Sequence, residues 1–284
     1  MTLKSIVITG CSTGFGRATA LHLAQRGWRV FATVRQEADA ASLLVEAMSK
    51  KAQDNLTPVL CDVTRAEEVA ALARTVHEAT PALDALLNNA GTAFPAPLEL
   101  LPPDELRAQL DLNVVAQLAV TQALLPMLRA ARGLIINVSS IGGKIASPVL
   151  GAYCISKFAL EAMSDTLRVE LAPFGVRVVV IEPGSSPTAI WQTSLQRAEK
   201  MLATHNADVS AYATLMDTVK RRSVGRADKG FPVELFVETV EQALTAPTPR
   251  TRYALPGDVR LRLFLRRLMS DAWWDRQIRK MLKW

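Results

Sequence analysis

Tyr153 and Lys157 stand four residues apart in the segment YCISK. On a helix that spacing puts both side chains on one face. A phenol can act as a general acid, but its ordinary pKa of about 10 is high for neutral pH. A nearby ammonium favours the phenolate and lowers that pKa, so the pair suits proton transfer. Thirteen residues before Tyr153, Ser140 closes the β-rich run that ends in NVSS and adds a hydroxyl.

A second group of residues suits phosphate. A short β-rich run, Leu3 to Ile8, leads into TGCSTGFG, residues Thr9 to Gly16, where a helix begins. Gly10 allows a tight turn, Gly14 lets backbone approach a pyrophosphate, and Gly16 lets the helix pack closely on the sheet. The helix N-terminus offers free N–H groups and positive partial charge to the phosphates. The spacing is neither GxGxxG nor that of a P-loop, and an ordinary strand–helix turn also uses glycines. The end of the second strand bears on which dinucleotide fits. An acid there would bind both ribose hydroxyls of NAD, but the chain has Val34 and Arg35. A guanidinium suits a 2′-phosphate, with Thr13 adding a hydroxyl; the bland alternative is a surface arginine.

These groups need a scaffold, and the rest of the chain supplies an alternating pattern. Strand-like runs at Leu3–Ile8, Trp28–Val34, Thr57–Leu60, Leu83–Leu87, Leu134–Val138 and Val176–Ile181 alternate with helical periodicity. The predicted helices are Gly14–Gln25, Glu37–Lys50, Arg65–Ala79, Pro103–Ala130 and Ala152–Leu171. This pattern predicts a parallel sheet covered on both faces, with ligands at the carboxyl ends of its strands. NNAG, containing Asn89, Ala90 and Gly91, follows one strand, and Asn113 lies inside the longest helix. A mid-helix asparagine bonded to backbone is common. Residues 185–230 read as a polar helical insertion, followed by a helix near Pro232–Leu244 and a strand at Arg252–Leu255. No linker interrupts the pattern, so a single domain over 1–284 is expected, with 185–230 as a substrate lid and 258–284 as an extension.

Composition narrows the classes. Hydrophobic residues make up 49% and charged residues 21%, which excludes a disordered or collagen-like chain. Three cysteines without CxxC spacing argue against a disulfide scaffold and for a reducing compartment. No signal peptide is evident, and no run approaches the roughly 18 apolar residues of a spanning helix. A cytoplasmic location is expected. The net charge of +6 resides in Val259–Trp284, which holds eight basic and two acidic residues. Nucleic-acid binding would want a basic face on the main fold, and no base-reading motif accompanies Trp273, Trp274 and Trp284, so no nucleic-acid partner is expected. In the tail, Leu261, Phe264, Leu265, Leu268, Met269 and Ala272 fall near one helical face. Packing on the body, contact with a membrane surface and pairing with a second copy are all open to such a helix.

Taken in order, TGCSTGFG, NNAG, Asn113, the Ser140–Tyr153–Lys157 spacing and EPGSSPT resemble the short-chain dehydrogenase/reductase family over roughly Leu3 to Thr188. The resemblance implies a Rossmann-like, doubly wound parallel sheet of about seven strands. It implies hydride transfer between a carbonyl or alcohol and NAD(P)(H), and Arg35 makes NADP(H) the preferred cofactor, with NAD(H) second. It makes Tyr153 the acid/base, Lys157 the holder of the nicotinamide ribose, Ser140 the holder of the substrate oxygen, and Asn113 the holder of a relay water. The turn residues Gly10, Ser12, Thr13, Gly14, Phe15 and Gly16 would contact the cofactor. So would Asp62 and Val63 of CDV at the adenine, Asn89, Ala90 and Gly91, and Pro183, Gly184 and Thr188 at the nicotinamide. Ser185, Ser186 and Pro187 depart from the family's habit of an aromatic residue there.

A narrower likeness is to the retinol and hydroxysteroid dehydrogenase branch. It rests on ITGCSTGFG, Arg35, SSIGG, YCISKFALEAMSDTLRVEL and ALTAPTPRTRY. It implies a small lipophilic carbonyl or alcohol as substrate. An apolar cover from residues 188–230 is expected, built on Trp191, Leu195, Met201, Leu202, Tyr212, Leu215 and Met216. The family commonly forms homodimers or homotetramers through its two long helices, here Pro103–Ala130 and Ala152–Leu171. The alternative from another class is a catalytically silent NADP(H) sensor on the same fold, which has no need of the Tyr153–Lys157 pair.

Overall fold

A computed structural model describes residues 3–186, 194, 196–200, 202, 209–228 and 230–284. Seven strands form one parallel sheet: β1 Ser5–Ile8, β2 Arg29–Val34, β3 Leu56–Leu60, β4 Ala85–Asn88, β5 Leu134–Val138, β6 Arg177–Pro183 and β7 Arg252–Leu255. Their spatial order is β3-β2-β1-β4-β5-β6-β7. The chain runs outward from β1 to β3, then returns and runs the other way from β4. The reversal opens a crevice between the carboxyl ends of β1 and β4. Register there pairs Ile8 with Leu87.

Alternation along the strands makes two cores. Ile6 and Ile8 join one core with Leu43 of helix α2 (Glu37–Ser49) and Ala20 and Leu23 of helix α1 (Gly14–Gln25). Val7, between them, joins the other with Leu72 of α3 (Ala66–Ala79) and Val120 and Leu124 of α5 (Ala116–Ala131). The doubly wound sheet is therefore what the alternating pattern demanded.

The predicted long helix is longer and less regular than its periodicity suggested. It comprises α4 (Pro103–Leu110), a π-helical turn at Asp111–Val115, and α5. The run Pro103–Ala131 is, by length and composition, apolar enough to span a membrane, contrary to the expectation that no segment would be. One face is sealed in the core, with Val120, Leu124 and Leu128 fully buried, which accounts for its hydropathy. Helix α6 (Gly151–Leu171) carries the Tyr153–Lys157 pair. Helices α7 (Ala213–Asp228) and α8 (Val233–Thr245) follow β6.

The tail also differs from expectation. It folds as two helices, α9 (Asp258–Leu268) and α10 (Asp271–Leu282). Met269 is extended, and the Ser270 hydroxyl accepts from the Trp273 N–H to cap a new helix. Met269 and Ala272 therefore do not continue the apolar face of α9.

Candidate active site

The turn after β1 is fixed by hydroxyls as well as glycines. Gly10 and Gly14 take left-handed φ values of 70° and 59°. Thr33 Oγ1 of β2 accepts from the Gly10 N–H at 3.1 Å. Thr9 Oγ1 accepts from the N–H groups of Asn89 and Ala90, both at 2.9 Å, and so joins the ends of β1 and β4. Asn89 Nδ2 returns bonds to the carbonyls of Thr9 and Gly10 at 2.9 and 3.1 Å. A Cβ on Gly16 would lie 2.4 Å from the Gly10 oxygen and 2.5 Å from Asn89 Nδ2, so close helix–turn packing requires glycine there.

Thr13 caps α1 without a side-chain bond, leaving the first-turn N–H groups facing the crevice. Phe15 contributes its backbone, because its ring stacks on Phe236 with centroids 4.1 Å apart. Arg35 is exposed at the end of β2. Burial works against the Asp62 carboxylate, yet Asp62 is held below its usual pKa. Thr64 donates to it from hydroxyl and N–H, and Arg35 and Arg65 add their charges. Arg35 and Asp62 thus share one rim.

On the other side of the crevice, Ser140 follows β5 and is buried. Its Oγ accepts from the Gly142 N–H at 3.0 Å and donates to the Pro183 carbonyl at 3.4 Å. Lys157 is buried, donates to the Val138 carbonyl at 2.8 Å and sits 5.8 Å from the centre of the Tyr153 ring. Burial pushes the Tyr153 phenol up to about 12, opposed by its bond with Ser140. Burial also pushes Lys157 down to about 8, opposed by Glu161. Desolvation thus dominates at Tyr153, and the neighbour that favours its phenolate is Ser140 in place of the expected Lys157.

Asn113 lies within the π-helical turn and is fully buried. Its Nδ2 donates to the Thr92 carbonyl and to Ser156 Oγ, and its Oδ1 accepts from the Thr92 N–H, all at 2.9 Å. Both donors are used, so the amide ties the NNAG loop to α6, and one lone pair of Oδ1 is left for other work.

A crevice of about 540 Å³ gathers these parts. It is lined by Gly10, Ser12, Thr13, Gly14, Phe15, Arg35, Asp62, Val63, Asn89, Ala90 and Gly91 on one side, and by Ser140, Tyr153, Lys157, Pro183 and Gly184 on the other. Gly16 and Asn113 stand behind it. Thr188 falls outside the described residues, as do Trp191, Leu195 and Met201. Sequence reasoning missed the Thr9 and Thr33 hydroxyls and two lining residues from the 185–230 insertion, Ser194 and Arg197. Ser194 is buried, and among the described residues its Oγ has no hydrogen-bond partner. No motif marks these four: the partners of Thr9, Thr33 and Arg197 come from other segments of the chain.

Also missed was a buried charge cluster behind Ser140. Glu161 of α6 and Glu182 of β6 face Lys144 and Arg252. Lys144 approaches Glu161 at 2.8 Å, and Arg252 of β7 approaches Glu161 at 3.1 Å and Glu182 at 3.2 Å. Arg252 also bonds Asp165 at 2.5 Å. Burial, then the charge of Glu161, raises Glu182 to about 7. The cluster joins four segments next to the crevice wall that carries Ser140, Tyr153 and Lys157.

A second, mostly apolar cavity of about 300 Å³ lies beyond Val149 and Leu150, just before α6. Leu202 and Met216 of the insertion line it. Leu215 packs with Val149 and Leu282, and Tyr212 stacks on Trp284 at 5.8 Å.

This geometry has known counterparts. The family model described as short chain dehydrogenase matches residues 4–221. The chain belongs to that family. As a short-chain dehydrogenase it is an NAD(P)-dependent oxidoreductase acting on CH–OH groups. It is 40% identical to human retinol dehydrogenase 16, over 91% of this chain and 82% of that protein. It is 35% identical to the uncharacterized oxidoreductase YusZ of Bacillus subtilis (strain 168), over 99% of each. Among solved structures, a short-chain dehydrogenase from Streptomyces avermitilis superposes with a TM-score of 0.78 at 27% identity, over 94% of this chain and 92% of that one. These relatives support the retinol dehydrogenase-like branch.

Proposed function

We propose that this short-chain dehydrogenase interconverts a lipophilic ketone or aldehyde and its alcohol, with NADP(H) preferred and Tyr153 as acid/base. The observation that carries this reading is the convergence of Ser140, Tyr153 and Lys157 on one wall of a crevice whose other wall is a glycine turn and a helix N-terminus.

The crevice suits a dinucleotide. Left-handed Gly10 and Gly14, the first-turn N–H groups and the Ser194 hydroxyl, which has no partner among the described residues, supply donors to the crevice where pyrophosphate and ribose would lie. Arg35 would meet a 2′-phosphate, and Asp62 the adenine. Lys157 would hold the nicotinamide ribose. When bound, the nicotinamide supplies or accepts the hydride.

The protein's own part is proton management. Ser140 orients the substrate oxygen with its hydroxyl. In reduction, Tyr153 gives its proton to that oxygen as negative charge develops on it, and its raised pKa keeps the phenol protonated until then. Alcohol oxidation reverses the transfer. Lys157, whose ammonium has Val138 as a fixed acceptor, holds positive charge beside the phenol. Asn113 would hold a relay water through the spare lone pair of Oδ1.

The apolar cavity beside Val149 supports a lipophilic substrate, as does the identity to a protein named as a retinol dehydrogenase. Exposed Val115, Ile155 and Phe158 on the two long helices support pairing of copies as a homodimer or homotetramer. Three free, buried cysteines agree with a reducing, cytoplasmic setting. The test is NADPH consumption across aliphatic, aryl, steroid and retinoid carbonyls. Turnover should favour bulky apolar members. A preference for small hydrophilic ketones would overturn the substrate class, and silence across the panel with clean NADPH binding would favour a sensor.

A further inference from the structure

Surface helices normally turn their apolar stripe inward. Helix α9 does the reverse. Leu261, Phe264, Leu265 and Leu268 are 61%, 59%, 41% and 70% exposed. At about 100° per residue they share an arc of about 100°. The side facing the body is held by Val259, which is buried, and by Leu263 and Arg266, which are half-buried. Arg266 is fixed there by Asp271 at 2.6 Å and by the Trp274 ring at 5.2 Å. Single exposed apolar residues need no explanation, but three leucines and a phenylalanine adjoining on one helix face do.

Charge decides between coverings. Arg260 and Arg267 are exposed on one flank of the stripe. The adjoining helix α10 is ordinary in its packing, with Ile278, Met281 and Leu282 against Val149 and Leu215. Its outward residues include Arg276, Arg279, Lys280 and Lys283, together with Trp273 at 43% exposure. Residues 259–284 carry the whole net charge of +6. A second copy meeting this face symmetrically would bring +6 against +6. An anionic lipid surface supplies both an apolar layer for the stripe and counter-charge for the arginines and lysines.

We propose that α9 and α10 form a peripheral docking surface for anionic membranes, with the Leu261–Phe264–Leu265–Leu268 stripe entering the headgroup boundary. The docking is independent of which carbonyl the enzyme reduces.

The test uses the intact protein and sedimentation with vesicles of phosphatidylcholine alone or with about one-third phosphatidylserine. The protein should pellet with the mixed vesicles and bind phosphatidylcholine roughly tenfold more weakly, and salt near 1 M should weaken the first binding. A variant combining Leu261→Ser, Phe264→Ser, Leu265→Ser and Leu268→Ser should lose roughly tenfold or more in vesicle affinity while keeping its thermal midpoint. Arg260→Glu with Arg267→Glu should abolish the preference for phosphatidylserine. The proposal is overturned if the unmodified protein stays in the supernatant with the mixed vesicles. Undiminished pelleting of the serine variant also overturns it, as does unfolding of that variant, which would show the stripe to be packed. If the serine changes turn a dimer into monomers while the unmodified protein ignores vesicles, the face belongs to a second copy.

Discussion

Replacing Glu182 with Gln should change how stability depends on pH. Glu182 is 3% exposed and faces Lys144 and Arg252, yet burial and Glu161 raise it from 4.5 to about 7. Between those two values the folded protein binds more protons at this site than the unfolded chain does. Stability must then fall as pH rises through that window, since the carboxyl has to ionise inside the fold. A rise of about 2.5 units at 1.36 kcal/mol each gives a fall of roughly 3 kcal/mol, complete just above pH 7. Glutamine is of similar size and cannot ionise. The difference in unfolding free energy, Gln variant minus unmodified protein, should therefore climb by up to about 3 kcal/mol between pH 4.5 and 8. Urea unfolding at several pH values measures it, and the comparison cancels the titrating groups outside the Glu161–Glu182–Arg252 cluster. Parallel curves for the two proteins would refute a protonated Glu182, and a decline of the difference would reverse the sign of the argument.

Other outcomes follow from single contacts. Tyr153→Phe should cut turnover by about 10²–10⁴-fold while leaving NADPH binding nearly unchanged in a fluorescence titration. Arg35→Asp should weaken NADPH by about 1–3 kcal/mol and favour NADH, and equal efficiency with both cofactors in the unmodified enzyme would remove the role of Arg35. Thr9→Val leaves the Asn89 and Ala90 N–H groups without their acceptor, and should lower unfolding free energy by about 1–3 kcal/mol in denaturant titration.

The sheet was readable because strands such as β5, Leu134–Val138, are almost wholly apolar runs bounded by Gly133 and Ser139, with Asn137 the one polar residue among them, as befits strands buried on both faces. The glycine turn and the Tyr153–Lys157 pair were readable because their parts are local in sequence. Asn113 was placed on the right helix, but the π-helical turn around it was not foreseen, since apolar spacing reads almost alike in α and π turns. Thr9, Thr33 and the Glu161–Glu182–Arg252 cluster act across strands, and no local pattern announces such partners. The α9 stripe was seen as apolar, but periodicity does not say whether an apolar face points inward or outward.

The lacing behind the crevice gives the site an order of assembly. Gly184 donates to the Leu255 carbonyl at 2.6 Å, Phe231 to that of Ser185 at 3.2 Å, and Arg252 braces Glu161 and Glu182. The glycine turn and β1–β5 emerge early during synthesis, and strand β7 emerges nearly a hundred residues after Tyr153. The Ser140–Tyr153–Lys157 wall reaches its final form after β7 has paired with β6. A nascent or truncated chain can complete its glycine turn well before this wall is braced, so the two sides of the crevice depend on different lengths of finished chain.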